Sequence, residues 1–181
     1  NQKEIQNKSD EELVGLVLRN PDDYLFLMER YKNKLFVYIK RLTGLPDDDI
    51  EDILQNVFIK IYRHLNNFNQ KYKFSSWAYR ITHNESISFY RKTNSRPKII
   101  SNDESNSLFQ FIASKQNVAK EAEKKYLAQN VRSILAEMDK KYRDVLILKY
   151  LEEKDYKEIS DILQKPMGTV ATLLNRAKKE F

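Results

Sequence analysis

Hydrophobic residues recur every three or four positions along most of the chain, and this spacing predicts amphipathic α-helices. The clearest apolar stripe lies between residues 47 and 65. Its members are Ile50, Ile53, Leu54, Val57, Phe58, Ile61 and Leu65. The chain has only three glycines, fewer than a fold of strands and tight turns needs. The pattern therefore predicts an all-α protein.

Capping residues predict where the first helices begin and end. Ser9 and Glu12 form a capping box that starts the first helix. Gly44 suits the left-handed residue that ends the second helix. The third helix opens with the acidic turn Asp47–Asp49, and Ser75 is expected to cap a fourth helix that runs to about Lys92.

The helical pattern stops between about Thr93 and Ala119, where Asn, Ser, Asp and Gln dominate. A single apolar patch, Leu108–Ile112, interrupts this polar stretch. We interpret the segment as a flexible linker between two small helical domains. The expected division is a first domain at 1–93, a linker at 94–119 and a second domain at 120–181. The second domain is expected to contain helices at roughly Glu121–Met138, Lys141–Leu151, Tyr156–Leu163 and Gly168–Phe181.

The last two of these helices have the pattern of a helix-turn-helix. Asp155 and Glu158 form a second capping box, and the turn is Gln164–Pro166. The inward positions of the final helix are Val170, Leu173, Leu174 and Ala177. The outward positions are Thr169, Ala171, Thr172, Asn175, Arg176 and Lys179. Small polar residues followed by cations suit a helix that enters the major groove of DNA.

Composition narrows the possible chemistry. The 181 residues contain no cysteine and only two histidines, His64 and His83. Thiol catalysis, disulfides and histidine-rich metal sites are therefore excluded, and no cofactor is expected. No apolar run approaches 18 residues, so we expect a cytoplasmic protein.

The net charge of +6 is unevenly distributed. The stretch from Arg63 to Lys98 carries eight basic residues and one acid, Glu85, interleaved with aromatic side chains. Cations among aromatics are typical of surfaces that bind single-stranded or melted nucleic acid. The segment Asp47–Asp52 carries five acids and no base. A favourable interaction with the helix dipole is enough to explain the acids of the first turn. Docking of a basic protein partner accounts better for the whole segment.

These motifs, in this order, resemble those of ECF (extracytoplasmic-function, group IV) sigma factors of bacterial RNA polymerase. Asp49–Tyr62 is similar to the polymerase-binding helix of sigma region two, A-E-D-x-x-Q-E-x-F. Phe74–Asn84 is similar to the promoter-melting motif F-x-x-W-L-x-x-I-A-x-N. Tyr142–Leu146, Tyr156–Ser160 and Gly168–Ala177 resemble region four.

The resemblance implies a site role for particular residues. The residues implied to bind core polymerase are Asp49, Asp52, Gln55 and Asn56. Those implied to bind the −10 element, including a flipped base, are Lys60, His64, Phe68, Lys73, Tyr79, Arg80, Asn84, Arg91 and Lys92. Those implied to read the −35 element are Thr169, Ala171, Thr172, Asn175, Arg176 and Lys179. Trp77 is implied to be structural support, and the implied partners are core polymerase, promoter DNA and an anti-sigma factor.

Some positions depart from the family pattern. Ala171 and Leu173 stand where basic residues are common, which reduces the number of expected DNA contacts. Gln164 stands where glycine is common, so the turn requires either a left-handed glutamine or a different geometry.

Two other functions remain as alternatives. A helix-turn-helix regulator that does not bind core polymerase would use the second domain alone, but it leaves the acidic helix and the Trp77 motif unexplained. A nuclease using metal-bound carboxylates would need acids that converge, whereas consecutive carboxylates on a helix point to different sides.

Overall fold

The computed structural model describes residues 7–94, 130–131 and 133–181, and no strand occurs in these ranges. We call residues 7–94 the N-terminal module and the described residues from 130 onwards the C-terminal module. The N-terminal module contains α1 (Asp10–Val17), α2 (Tyr24–Thr43), α3 (Asp47–His64) and α4 (Phe74–Asn94), with short 3-10 turns at Pro21–Asp23 and Leu65–Asn67. The C-terminal module contains helical residues 133–137, α5 (Lys140–Leu146), a π-helical turn (Ile147–Leu151), α6 (Tyr156–Leu163) and α7 (Met167–Glu180). The all-α prediction is confirmed.

The expected linker beyond Asn94, its Leu108–Ile112 patch and the first part of the Glu121–Met138 helix lie outside the described residues. The division of the chain at 93 and 119 stays a prediction.

Local capping chemistry sets several helix ends as expected. The Ser9 hydroxyl accepts from the Glu12 amide at 3.2 Å, and the Glu12 carboxylate accepts from the Ser9 amide at 2.7 Å. Asp155 and Glu158 make the same reciprocal pair at the start of α6. Gly44 ends α2 with φ +65°.

The start of α4 differs from the sequence prediction. The helix begins at Phe74, so Ser75 lies inside the first turn and does not cap it. The Phe74 amide instead donates to Glu11 Oε1 of α1 at 3.2 Å. A carboxylate from another helix therefore satisfies an amide that the sequence pattern assigned to a local serine.

For the turn of the helix-turn-helix, the sequence allowed either a left-handed glutamine or a different turn geometry, and the structure has the left-handed glutamine. Gln164 adopts the left-handed conformation, with φ 52° and ψ 48°. Its amide donates to the Ser160 carbonyl, which ends α6 as a glycine would.

Each module buries its own apolar stripe. The inner face of α3 is at most 7% exposed and packs between α2 and α4. In the described part of the C-terminal module, the buried apolar side chains are Leu135, Met138, Val145, Leu146, Ile147, Leu148, Ile159, Ile162, Val170, Leu174 and Ala177. The two modules also contact each other, because α4 packs along α6.

Candidate nucleic-acid and polymerase interfaces

An aromatic cluster supports the beginning of α4. The ring of Phe68 lies 5.6 Å from that of Phe74 and 5.2 Å from that of Trp77, measured between centroids. Phe74 is buried and Trp77 is half-buried against the core. Trp77 thus occupies the supporting position implied by the family motif. Phe68, which was implied to contact DNA, is only 8% exposed and serves in this arrangement as the wall of the cluster.

A small cavity opens beside this cluster. It is lined by Asn67, Asn69, Tyr72, Ser76, Trp77, Arg80 and Asp161. Ser76 is 1% exposed and its hydroxyl has no hydrogen-bond partner, whereas Tyr72 is 50% exposed. Aromatic surface, amide groups, a free hydroxyl and one guanidinium are the groups that stack on and hydrogen-bond to a nucleobase. Sequence reasoning did not single out Asn67 or Ser76, because neither residue type is distinctive by itself.

The remaining residues implied to bind the −10 element spread along α3 and α4. His64, Asn84, Arg91 and Lys92 are exposed. Lys60 is also exposed and forms an ion pair with Glu85. Asn84 and Arg91 line a second, wider cleft between the modules, together with Lys140 and Lys165.

Two residues implied to bind the −10 element contact the C-terminal module. The Lys73 ammonium lies 3.2 Å from Glu158 and 3.9 Å from Asp155. Tyr79 is 3% exposed, and its hydroxyl donates to Glu152 Oε2 at 2.8 Å. Burial, reinforced by the Glu152 carboxylate, raises the pKa of Tyr79 above its ordinary value.

Glu152 connects the two modules. Its Oε1 atom accepts from Arg41 Nη1 at 2.7 Å, and the same guanidinium nitrogen donates to the Leu151 carbonyl at 2.7 Å. The Glu152 side chain is 6% exposed, and Lys154 lies with its ammonium 4.3 Å from the centre of the Tyr79 ring. Sequence reasoning missed this contact, since nothing local to residues 151–154 predicts a partner more than 70 positions away.

A buried polar chain lies deeper in the same contact. The Tyr38 hydroxyl lies 3.0 Å from His83 Nδ1, and His83 Nε2 lies 3.5 Å from Asp144 Oδ2. Burial, reinforced by the nearby Lys140 ammonium, lowers the pKa of His83 to about 4. Burial also raises the pKa of Asp144 to about 6, and its Oδ1 atom has no hydrogen-bond partner. At neutral pH, His83 is therefore uncharged, and the pair is not a salt bridge.

The residues implied to bind polymerase share the outer face of α3. Asp52, Gln55 and Asn56 are exposed, and Asp49 is half-exposed. The same helix exposes Ile59 and Tyr62 to 42% and 46%. This face offers carboxylates and amides beside apolar surface, which suits a basic protein surface.

The outer face of α7 is open. Thr169, Thr172, Asn175, Arg176 and Lys179 are exposed and Ala171 is half-buried, whereas Val170, Leu174 and Ala177 are buried. The Thr172 hydroxyl donates to the Gly168 carbonyl at 2.9 Å. This helix presents the polar side chains that the sequence pattern placed outside.

In the part of the chain that the structure describes, no group of three or more His, Cys, Asp or Glu side chains is arranged to hold a metal ion. Within the same residues, no helix combines the length and hydropathy needed to span a membrane.

Two family models match the chain: Sigma-70 region 2 over residues 27–96 and Sigma-70, region 4 over residues 128–181. Together they cover more than half of it. The chain is 29% identical to the ECF RNA polymerase sigma factor SigW of Bacillus subtilis over 162 residues, 87% of this chain and 86% of the relative. It is 28% identical to the ECF RNA polymerase sigma-E factor of Escherichia coli K12 over 179 residues, 94% and 91% of the two chains.

Solved structures agree at the level of the fold. CnrH, in complex with the cytosolic domain of CnrY, has a TM-score of 0.68 and 21% identity over 96% of this chain and 94% of that one. The sigma factor RpoE from Bartonella quintana, in complex with the anti-sigma factor NepR, has a TM-score of 0.63 and 16% identity over 87% and 93%. Because both sigma regions are matched in order and relatives align over nearly their whole length, the chain belongs to the ECF sigma factors, the DNA-binding initiation factors of bacterial RNA polymerase.

Proposed function

We propose that this sigma factor binds core polymerase through the outer face of α3, reads the −35 element with α7, and holds the melted −10 strand with α4 and the loop before it. The observation that carries this proposal is the cavity at the start of α4, where stacking, amide and cationic side chains meet around the unpartnered Ser76 hydroxyl. One flipped base of the −10 element is its proposed occupant. Phe68 supports this pocket from behind and does not stack on the base.

The energetics favour such a pocket only when the DNA is already strained or opened. Flipping a base out of a duplex costs a few kcal/mol. Stacking on an aromatic side chain returns about 1–3 kcal/mol per base. Captured bases therefore roughly offset the cost, and the binding energy of polymerase supplies the rest. The chain thus works by differential binding to melted and duplex DNA and catalyses no chemical step.

The proposed cellular location of the chain follows from these partners. Core polymerase and promoter DNA lie in the bacterial cytoplasm, so we place the chain there. We also propose that an anti-sigma factor restrains it. CnrH and RpoE, which share its fold, each form a complex with another protein, and for RpoE that protein is named an anti-sigma factor.

Run-off transcription with purified core polymerase on a genomic promoter library tests the proposal. The expected result is a set of transcripts that require the chain and share −35 and −10 sequences. Transcription that does not depend on the chain, together with no co-purification with core polymerase, would contradict it.

A further inference from the structure

The wider cleft between the modules concentrates positive charge. Four cations line it: Arg91 from α4, Lys140 and Lys141 from α5, and Lys165 from the turn between α6 and α7. Among the described residues that line the cleft, the one carboxylate is that of Asp144, so four positive charges minus one negative charge leave about +3. Charge of one sign within the walls of a cleft raises the local concentration of ions of the other sign. The cleft therefore favours an anion.

Most of these cations have no acidic partner. Elsewhere in the chain, an exposed cation such as Lys60 pairs with a carboxylate, in this case that of Glu85. In the cleft, Lys141 pairs with Asp139 at 2.9 Å. The cleft cations that form no ion pair with any described residue are Arg91, Lys140 and Lys165. Within the described part of the chain, no carboxylate thus competes with a ligand for these three charges.

The positive charge of Lys140 is destabilised by its surroundings. Burial lowers the pKa of Lys140, and the nearby charges of Arg91 and Arg143 lower it further, against the opposing effect of Asp144. A lowered ammonium pKa means that the environment disfavours the charged form. Conflicts of this kind are expected at functional sites, and a bound anion would relieve this one.

Buried polar groups and apolar walls distinguish the cleft from an ordinary charged surface. Asp144 is 5% exposed, and its Oδ1 atom has no hydrogen-bond partner. The half-buried side chains of Ile87 and Leu163 also line the cleft, and the exposed Asn84 contributes an amide. The cavity volume is about 380 Å³, within the range of roughly 300–1,000 Å³ that is usual for small-molecule sites. The cleft thus has the size and mixed lining of such a site.

We propose that this cleft binds a nucleoside polyphosphate. The phosphate chain lies against Arg91, Lys140 and Lys165, which donate charge-assisted hydrogen bonds to its oxygens. The apolar wall packs against the base, and the Asn84 amide pairs with the edge of the base. A carboxylate in the lining, that of Asp144, favours a ligand that also carries hydroxyl or amino donors over a bare phosphate chain.

This inference goes beyond the proposed function and does not depend on it. Asn84 and Arg91 are also among the residues implied to bind the −10 strand, so phosphates could reach the cleft from DNA or from a free nucleotide. The two sources are distinguished by measuring binding of the nucleotide with neither DNA nor polymerase present.

The test is isothermal titration calorimetry of the purified full chain with ATP. The buffer contains no magnesium, so that the phosphates keep their full charge. The comparison ligands are inorganic tripolyphosphate, which carries the phosphate chain alone, and adenosine, which carries the nucleoside alone. We expect ATP to bind at one site per chain, to bind more tightly than either comparison ligand, and to bind more weakly as the salt concentration rises.

A double variant identifies the site. Arg91→Gln with Lys140→Gln should weaken ATP binding at least about tenfold, because hydrogen bonds to charged groups are lost. The matched control is Lys32→Gln with Lys157→Gln, which removes one exposed cation from each module outside the cleft and should bind ATP as wild type does. Because the cleft variant removes charges that repel each other, its unfolding temperature without ligand should equal or exceed that of wild type. This measurement separates lost binding from lost folding.

Asn84→Ala tests the position of the nucleoside. It should weaken ATP binding several-fold and leave binding of tripolyphosphate unchanged. Equal affinities of wild type for ATP and tripolyphosphate would refute the nucleoside part of the proposal. No binding of ATP to wild type, or equal ATP affinities of wild type and the Arg91/Lys140 variant, would overturn the site. Run-off transcription would be unaffected by either result, so the failure of one proposal is distinguishable from the failure of the other.

Discussion

The Tyr79 hydroxyl donates to Glu152 Oε2 at 2.8 Å, joining residues 73 positions apart. The other oxygen of the same carboxylate accepts from Arg41. One side chain of the C-terminal module therefore anchors two helices of the N-terminal module, and the packing of the modules depends on it.

Replacing Tyr79 by Phe tests how much this hydrogen bond contributes. A hydrogen bond to a charged group is worth roughly 1.5–3 kcal/mol, and Arg41 still satisfies one oxygen of Glu152. We therefore expect Tyr79→Phe to lower the free energy of unfolding by about 1–2 kcal/mol, measured by chemical denaturation. Tyr90→Phe, at an exposed position near the end of the same helix, should leave it unchanged; an equal loss in both variants would contradict the assignment.

The polymerase-binding assignment predicts the effect of reversing charge on α3. Asp52→Lys combined with Gln55→Ala should weaken binding to core polymerase at least tenfold, because it places a cation on the face that is proposed to meet a basic surface. Affinity is measured by fluorescence anisotropy with labelled chain. Glu29→Lys is the control, since Glu29 is exposed on α2 and lies outside the acidic segment of α3. If the double variant binds core polymerase as tightly as wild type, the assignment of this face of α3 to polymerase is wrong.

The proposed role of Asn84 predicts a larger effect on promoter melting than on duplex binding. It is exposed on α4, in the helix that is proposed to hold the melted strand. Asn84→Ala should reduce permanganate reactivity of −10 thymines in the holoenzyme complex several-fold while duplex binding changes less. Ser88→Ala, one turn further along and also exposed, should behave as wild type. Equal permanganate reactivity in the Asn84 variant and wild type would contradict the role.

The outward face of α7 predicts a change in salt dependence. Arg176 is exposed there, and loss of one phosphate contact lowers the slope of log affinity against log salt by about one. Arg176→Ala should show this change with a duplex that carries the −35 element. Lys178→Ala is the control, because the Lys178 ammonium lies 5.8 Å from the centre of the Tyr150 ring. A slope that does not change on loss of Arg176 argues against a phosphate contact.

Asp144 predicts a pH-dependent gain in stability. Burial raises its pKa to about 6, so the folded chain binds this proton more tightly than the unfolded chain does. The carboxylate therefore destabilises the fold increasingly as the pH rises from about 4 to 6, and fully above that. Each pKa unit corresponds to about 1.4 kcal/mol, and Asp144→Asn should recover about 1–2 kcal/mol at pH 7.5.

The gain from Asp144→Asn should shrink as the pH falls from 6 towards 4, as measured by denaturation at several pH values. His83 acts in the opposite direction, since its lowered pKa reduces stability as the pH falls below 6.5. Because His83 Nε2 lies 3.5 Å from Asp144 Oδ2, the same comparison in a His83→Gln background isolates the ionisation of Asp144. Asp22→Asn, at an exposed position, should change stability little at any pH. A gain for Asp144→Asn that does not depend on pH would refute the ionisation argument.

Local chemistry made much of the fold predictable from sequence. The capping boxes at Ser9 and Asp155, the left-handed Gly44 and the buried stripe of α3 follow from interactions between residues at most a few turns apart. The rules for helix capping and for hydrophobic periodicity therefore predict these features from the sequence alone. The outward face of α7 was predictable for the same reason, because burial of Val170 and Leu174 fixes which side faces solvent.

Features that depend on distant residues were not predictable. The start of α4 was misplaced because its first amide bonds to Glu11, 63 positions earlier. Tyr79 was expected on an open surface, whereas it packs against Tyr38 of its own module and contacts Glu152 and Lys154 of the C-terminal module. Glu158 was recognised as a capping residue, and its second oxygen also pairs with Lys73. A periodic pattern identifies which faces are apolar, but it does not say which distant charge a polar side chain will meet.

The burial of Tyr79 has a consequence for the competition that the chain meets in a cell. Aromatic stacking tolerates any base, so a permanently open −10 surface would attach to nascent transcripts and to every exposed stretch of single-stranded DNA. With Tyr79 enclosed, those abundant strands find one ring fewer to stack on, while Tyr72 and the outer faces of α3 and α7 stay exposed. Enclosing one tyrosine is therefore expected to reduce sequence-independent attachment to RNA without any base-specific contact.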